Sequence, residues 1–183
     1  MKATPPDQIV HWPLIFRNPL PPWHLPAGRV TQVGDAAHTL PTSVNGATRT
    51  IEGAVTIGQC LKQAGKANLP AAGKANNLLR FDRVSCARRL GWENDERCHK
   101  ADFSKGPIDL TKVQTRVPKW ILARDPEQYA VNSFAKAAMC IVDGTESHNT
   151  NIPPGHVPTL WTTEEVLALE ADGKKCELSG DWS

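Results

Sequence analysis

The stretch GRVTQVGDAAHTLPTSVNGATRTIEGA, residues 28–54, decides the fold. Gly28 and Gly34 bracket a run in which Val30 and Val33 are apolar, and its length suits one short strand over 28–34. Asp35 follows at once, and a turn runs through His38 to Pro41. From Gly46 the pattern is helical to about Gly65, with Ala47, Ile51, Ala54, Val55, Gly58 and Leu61 at three- and four-residue steps. The segment therefore places a carboxylate at the carboxyl end of a strand and opens the next helix with small residues. In α/β folds, ligand contacts gather at that strand end. Asp35 could accept hydrogen bonds from sugar-alcohol hydroxyls, or serve merely as a turn residue. The first N–H groups of the helix are unpaired and carry the positive end of its dipole, which suits negative charge. Gly46 and Ala47 would let a flat ring approach the backbone.

Outward from this stretch, residues 1–27 form a Pro-rich lead holding 7 of the chain's 15 prolines. Trp12, Phe16, Trp23 and Leu25 stand among them, so the lead is expected to lie extended over an apolar surface. The central unit is 28–141. Within it a second helix is expected from about Ala75 to Cys98, with Leu79, Val84 and Leu90 as a loose apolar stripe. Arg80, Arg83, Arg88 and Arg89 read as a solvated face pairing with Glu93 and Glu96. A break is expected around Ser104–Pro107. Asp125, Pro126 and Glu127 then start a third helix, which Gly144 stops. Residues 142–183 read as a loop and tail, with a capping box between Thr162 and Glu165 and a frayed last dozen residues. Trp23, Trp92, Trp120 and Trp161, with Trp12, read as packing anchors.

Of the 183 residues, 40% are hydrophobic and 22% charged, which permits a core of modest size. A net charge of +2 and 6% aromatic residues argue against nucleic acid as a partner. No window approaches the ~18 apolar residues of a membrane span, and the first residues carry no secretory h-region. Five scattered cysteines without CxxC spacing suggest reduced thiols and a cytoplasmic protein. Cys98–His99 lacks a second pair at ligand spacing, so no metal site is expected. No catalytic residue is legible: His38 reads as turn-stabilising or solvent-facing, and Glu52 as a helix-surface or structural partner.

The motif at 34–54 resembles the second FAD motif of the flavin-dependent aromatic hydroxylases, the para-hydroxybenzoate hydroxylase family. That motif is written GDAAH…P…G.G…EDA, and the fungal members of secondary-metabolite pathways are the most similar. RFDRVSCARRLGWEN (80–94), DPEQYA (125–130) and NTNIPPGH (149–156) carry the same resemblance. It implies a mainly α chain with a short strand, corresponding to the C-terminal portion of an α/β FAD-binding fold. It implies Asp35 on the flavin ribityl chain and the backbone of Ala47, beside Gly46, against the ring system. Such enzymes use NADH or NADPH and oxygen to hydroxylate or epoxidise an organic small molecule. Three departures stand out: Pro41 is alone, Val44 replaces a glycine, and EDA becomes Glu52–Gly53–Ala54, whose Gly costs ~1 kcal/mol relative to Ala. The chain contains no GxGxxG and begins close to the last FAD motif. The expectation is therefore a C-terminal part that leaves the apolar face of the 46–65 helix uncovered, with a second copy or a partner chain completing the site. A redox-inactive interaction module, or a non-oxidative cyclase or isomerase, remains the alternative.

Overall fold

The computed structural model describes residues 4–11, 13, 15–99, 101, 106, 109–174 and 176–183. Its helices are α1 (Gly46–Ala64), α2 (Leu69–His99), α3 (Leu110–Val113), α4 (Lys119–Leu122), α5 (Pro126–Asp143) and α6 (Thr163–Ala171). Short 3-10 turns at Gly34–Ala36, Thr42–Val44 and Lys66–Asn68 lead into α1 and α2. α1, α2 and α5 pack against one another and form the frame. Trp12, and Ser104, Lys105 and Pro107 of the expected break, lie outside the described residues.

The 28–34 stretch falls short of a strand. It makes one antiparallel bridge, Thr31 with His24. The Leu25 amide donates to Val30 O at 3.0 Å and the Gln32 amide to Trp23 O at 2.7 Å. Val30 and Val33 stay exposed, so burial gives this pairing no help. The fold is accordingly mainly α with almost no strand.

α2 starts earlier than its apolar stripe suggests. Pro70 sits in its first turn, where a missing N–H leaves nothing unpaired. Covered on nearly every side from Ala72 to Gly91, α2 is the axle of the fold. Gly91 allows this closeness: a Cβ there would stand 2.9 Å from Pro41 Cγ and Val44 Cγ2. Burial also overturns the solvated-arginine expectation. Arg80, Arg83, Arg88 and Arg89 are 3%, 1%, 1% and 6% exposed. A helix enclosed all round has no watery side, so its cations must find acceptors or rings inside.

α5 follows its sequence signals closely. Asp125 Oδ1 accepts the Glu127 and Gln128 amides at 2.9 and 3.0 Å, and Gly144 ends the helix at φ 67°. Ala130, Phe134 and Ala137 pack against Cys60, Ala72, Ala75 and Leu79. The capping box of α6 is formed by Thr162 and Glu165. The lead covers apolar surface as its aromatics require: Trp23 is buried against Phe81, and Phe16 meets Trp92 edge-on at 5.4 Å. The tail is docked, contrary to expectation. Trp182 is 9% exposed and packs edge-on against Trp120 at 5.8 Å and His156 at 5.0 Å. A single large aromatic suffices to anchor it, a signal the charged residues around it obscure. All five cysteines are free thiols, and no described helix is long and apolar enough to cross a membrane.

Candidate functional site

The site is a rim where the Gly34–Ala36 turn meets the start of α1. Gly34 adopts φ 58°, and its carbonyl accepts the amides of Ala37 at 3.0 Å and His38 at 2.9 Å. A Cβ on Gly34 would lie 3.0 Å from Thr50 Cγ2, so the turn rests directly on α1. Thr50 stands one helical turn beyond Gly46 and Ala47, on their side of the helix. Asp35, Gly46 and Ala47 thus come to one rim. Asp35 and Ala47 are exposed, and Gly46 is half-buried.

α1 begins without a cap. Asn45 holds the N-cap position at φ 53° and its side chain caps nothing. The amides of Gly46, Ala47 and Thr48 find no acceptor among the described residues. α5 and α6, by contrast, are both capped by side chains. The left-handed backbone falls at Asn45, not at Val44. Val44 is buried in the core beside Leu90 and Trp120, so the family glycine it replaces is exchanged for packing beneath the rim.

Under the rim lies a buried ion cluster. Glu52 is approached by Arg49 Nη1 at 2.7 Å, Arg80 Nη1 at 2.8 Å and Arg83 Nη2 at 3.0 Å. Arg83 Nη1 also donates to the carbonyls of Trp120 and Asn151, both at 2.9 Å, and Nη2 to that of Ile121 at 3.0 Å. One residue therefore ties α1, α2, α4 and the 151 loop together. Burial alone would push the Glu52 carboxyl up. The hydrogen bonds and charge of Arg83, with Arg80 and Arg49, outweigh it and hold the carboxyl below its usual range. Burial lowers Arg49 to about 10, against the pull of Glu52. Glu52 is thus a structural partner, fully inside rather than on the helix surface.

His38 is also inside, 3% exposed, with Nδ1 unpartnered and its ring 5.4 Å from that of Trp23. Burial, then the charge of Arg80, lowers its pKa to about 4. The solvent-facing expectation fails because the buried Trp23 ring packs against the imidazole. The missed residues are the arginines of α2. Four cations within ten residues of a helix with no exposed face was the available signal.

The outer side of α1 is bare. Ile51 is 64% exposed and Leu61 42%, with Ala54 and Gly58 exposed between them. The expected uncovered apolar face is therefore present.

With this geometry the chain is homologous to the C-terminal part of the fungal FAD-dependent monooxygenases. It is 46% identical over 187 residues to the FAD-dependent monooxygenase mdpD of Emericella nidulans, covering 100% of this chain and 36% of the relative. The FAD-dependent monooxygenase fsr3 of Gibberella fujikuroi is 42% identical over 188 residues, with 100% and 36% covered. Among solved structures, native FqzB superposes at a TM-score of 0.73 and 29% identity, over 83% of this chain and 35% of its own. CtdE in complex with FAD and substrate gives 0.61 and 32%, over 67% and 30%. The chain thus spans about 36% of the length of the curated relatives it matches. No protein-family model matches the sequence.

Proposed function

We propose that the rim of Asp35, Gly46 and Ala47 holds the ring-and-ribityl half of FAD. The chain then serves as the flavin-facing part of a cytoplasmic monooxygenase acting on an organic intermediate of fungal secondary metabolism. One observation carries this: α1 opens with unpaired amides and small side chains beside an exposed carboxylate. That donor set fits a flavin. Asp35 would accept ribityl hydroxyls, and the amides of Gly46 and Ala47 would donate to the electron-rich edge of the ring. The helix end favours negative charge there by ~0.3–1 kcal/mol, or up to ~2 when partly buried. The Glu52 cluster holds α1 so that these amides keep their direction. When bound, the flavin supplies oxygen activation with electrons from NADH or NADPH. No side chain of this chain is assigned as acid or base. The rim belongs to the 28–141 unit, with 1–27 and 142–183 as its covering segments. The bare side of α1 supports further protein covering it, from a second copy or a partner chain.

A second reading, a redox-inactive interaction module, rests on that same bare side. Titrating the 183-residue chain with FAD and with riboflavin, followed by flavin fluorescence and visible circular dichroism, separates the two. The proposal expects both to bind with similar affinity, since only their shared half is held. Asp35→Ala should weaken both by about tenfold or more, the worth of hydrogen bonds to a charged group. A flavin signal unchanged by the wild-type chain rejects the cofactor role and leaves the interaction module.

A further inference from the structure

We propose that Ser43 is a positioning residue of the rim, aiming the Gly46 and Ala47 amides at the flavin through one hydroxyl tether to α2. This rests on the flavin reading of that rim. The Ser43 side chain is half-buried, and its Oγ–H donates to Gly91 O at 3.0 Å, a residue 48 positions further along the chain. Apart from the start of the α1 ladder, it is the one hydrogen bond by which the 39–45 connection reaches another element among the described residues.

The Gly46 and Ala47 amides stand between two anchors. Downstream, the first turn of α1 is fixed at Arg49, whose Nη1 donates to Ile121 O at 3.1 Å and whose carbonyl accepts Arg80 Nη2 at 3.0 Å. Upstream, Asn45 turns the chain at φ 53° and caps nothing with its side chain. Pro41 and Val44 rest on Gly91, but apolar contact has no direction. It holds the turn down without fixing how the turn is rotated. A hydrogen bond from a hydroxyl to a carbonyl has direction. Ser43 therefore sets the rotation with which the chain enters Asn45, and with it where the Gly46 and Ala47 N–H groups point.

The tether is separable from the fold. Gly91 lies in the interior of α2, so its carbonyl already serves that helix's own ladder. Removing the Ser43 hydroxyl strands no buried acceptor, whereas removing the Glu52 carboxylate strands the guanidiniums of Arg49, Arg80 and Arg83. The loss falls instead on the share of molecules whose turn is correctly rotated, and a ligand of the rim binds only that share.

Amide relaxation by NMR and riboflavin titration of the whole chain test this on Ser43→Ala and Ser43→Thr. In Ser43→Ala the order parameters of the Gly46, Ala47 and Thr48 amides should fall while that of Thr56 holds. Riboflavin should bind about threefold more weakly, and the unfolding midpoint should stay within about 3 °C of wild type. Ser43→Thr, which keeps the hydroxyl, should restore both the order and the affinity. The proposal is overturned by unchanged order parameters, by equal riboflavin affinity in Ser43→Ala, or by no rescue with threonine. A larger fall in the midpoint also overturns it, since the hydroxyl would then support the fold. A wild-type chain that takes up no riboflavin removes the flavin reading and the proposal with it, whereas wild-type uptake that Ser43→Ala matches removes the proposal alone.

Discussion

The two sides of α1 differ in a way that inverts the common arrangement. The inner side carries Arg49, Glu52 and Thr56, all buried, and the outer side carries Ile51, Ala54, Gly58 and Leu61, all exposed. Amphipathic spacing alone assigns the apolar stripe to the core. Here the inner neighbour is α2 with its arginines, and a carboxylate meets them better than a methyl would. The outer stripe stays largely open to solvent, with only Leu61 bordering a groove shared with Arg29 and Leu69. Periodicity reveals that a helix has two sides; the charge on the helix it meets decides which one turns inward.

The largest expected effect lies on the inner side. Glu52→Ala strands three buried guanidiniums, and breaking such a cluster costs about 3–5 kcal/mol, enough to prevent folding. Urea unfolding followed by circular dichroism measures it, and a loss below about 1 kcal/mol would break the contrast between the two sides. His38 sharpens it with pH. Its folded pKa, about 4, lies below the 6.5 of the unfolded chain, mainly through burial. The stability from keeping it neutral is fully present above 6.5 and declines as pH falls toward 4. The total is on the order of 3 kcal/mol. His38→Gln should flatten stability across that window; a persistent slope would show that another group titrates there. The smallest effect is expected outside. Ile51→Lys should change stability by no more than about 0.5 kcal/mol and reduce self-association in sedimentation. A large loss of stability there would mean the outer side is covered after all.

Much of the helical frame was legible because its signals are local. Asp125, Pro126 and Gly144 act within a few residues, as does the Thr162–Glu165 box. The meeting of the Asp35 turn with the start of α1 was legible too, since Gly34 and the short 35–45 connection leave little freedom. Contacts between distant segments were not. Nothing near Arg83 in the chain announces the carbonyls of Trp120, Ile121 and Asn151. His38 looked solvent-facing because Trp23 covers it from fifteen residues upstream. Trp182 looked idle because its pocket is built by Trp120 and His156.

The three-to-one gathering of guanidiniums on Glu52 has a thermal corollary. Hydration of charged groups becomes less favourable on warming, so withholding water from these ions costs least when the protein is warm. Apolar burial weakens on cooling as well. Refrigeration therefore erodes both contributions at once, and the chain should keep better at ambient temperature than on ice.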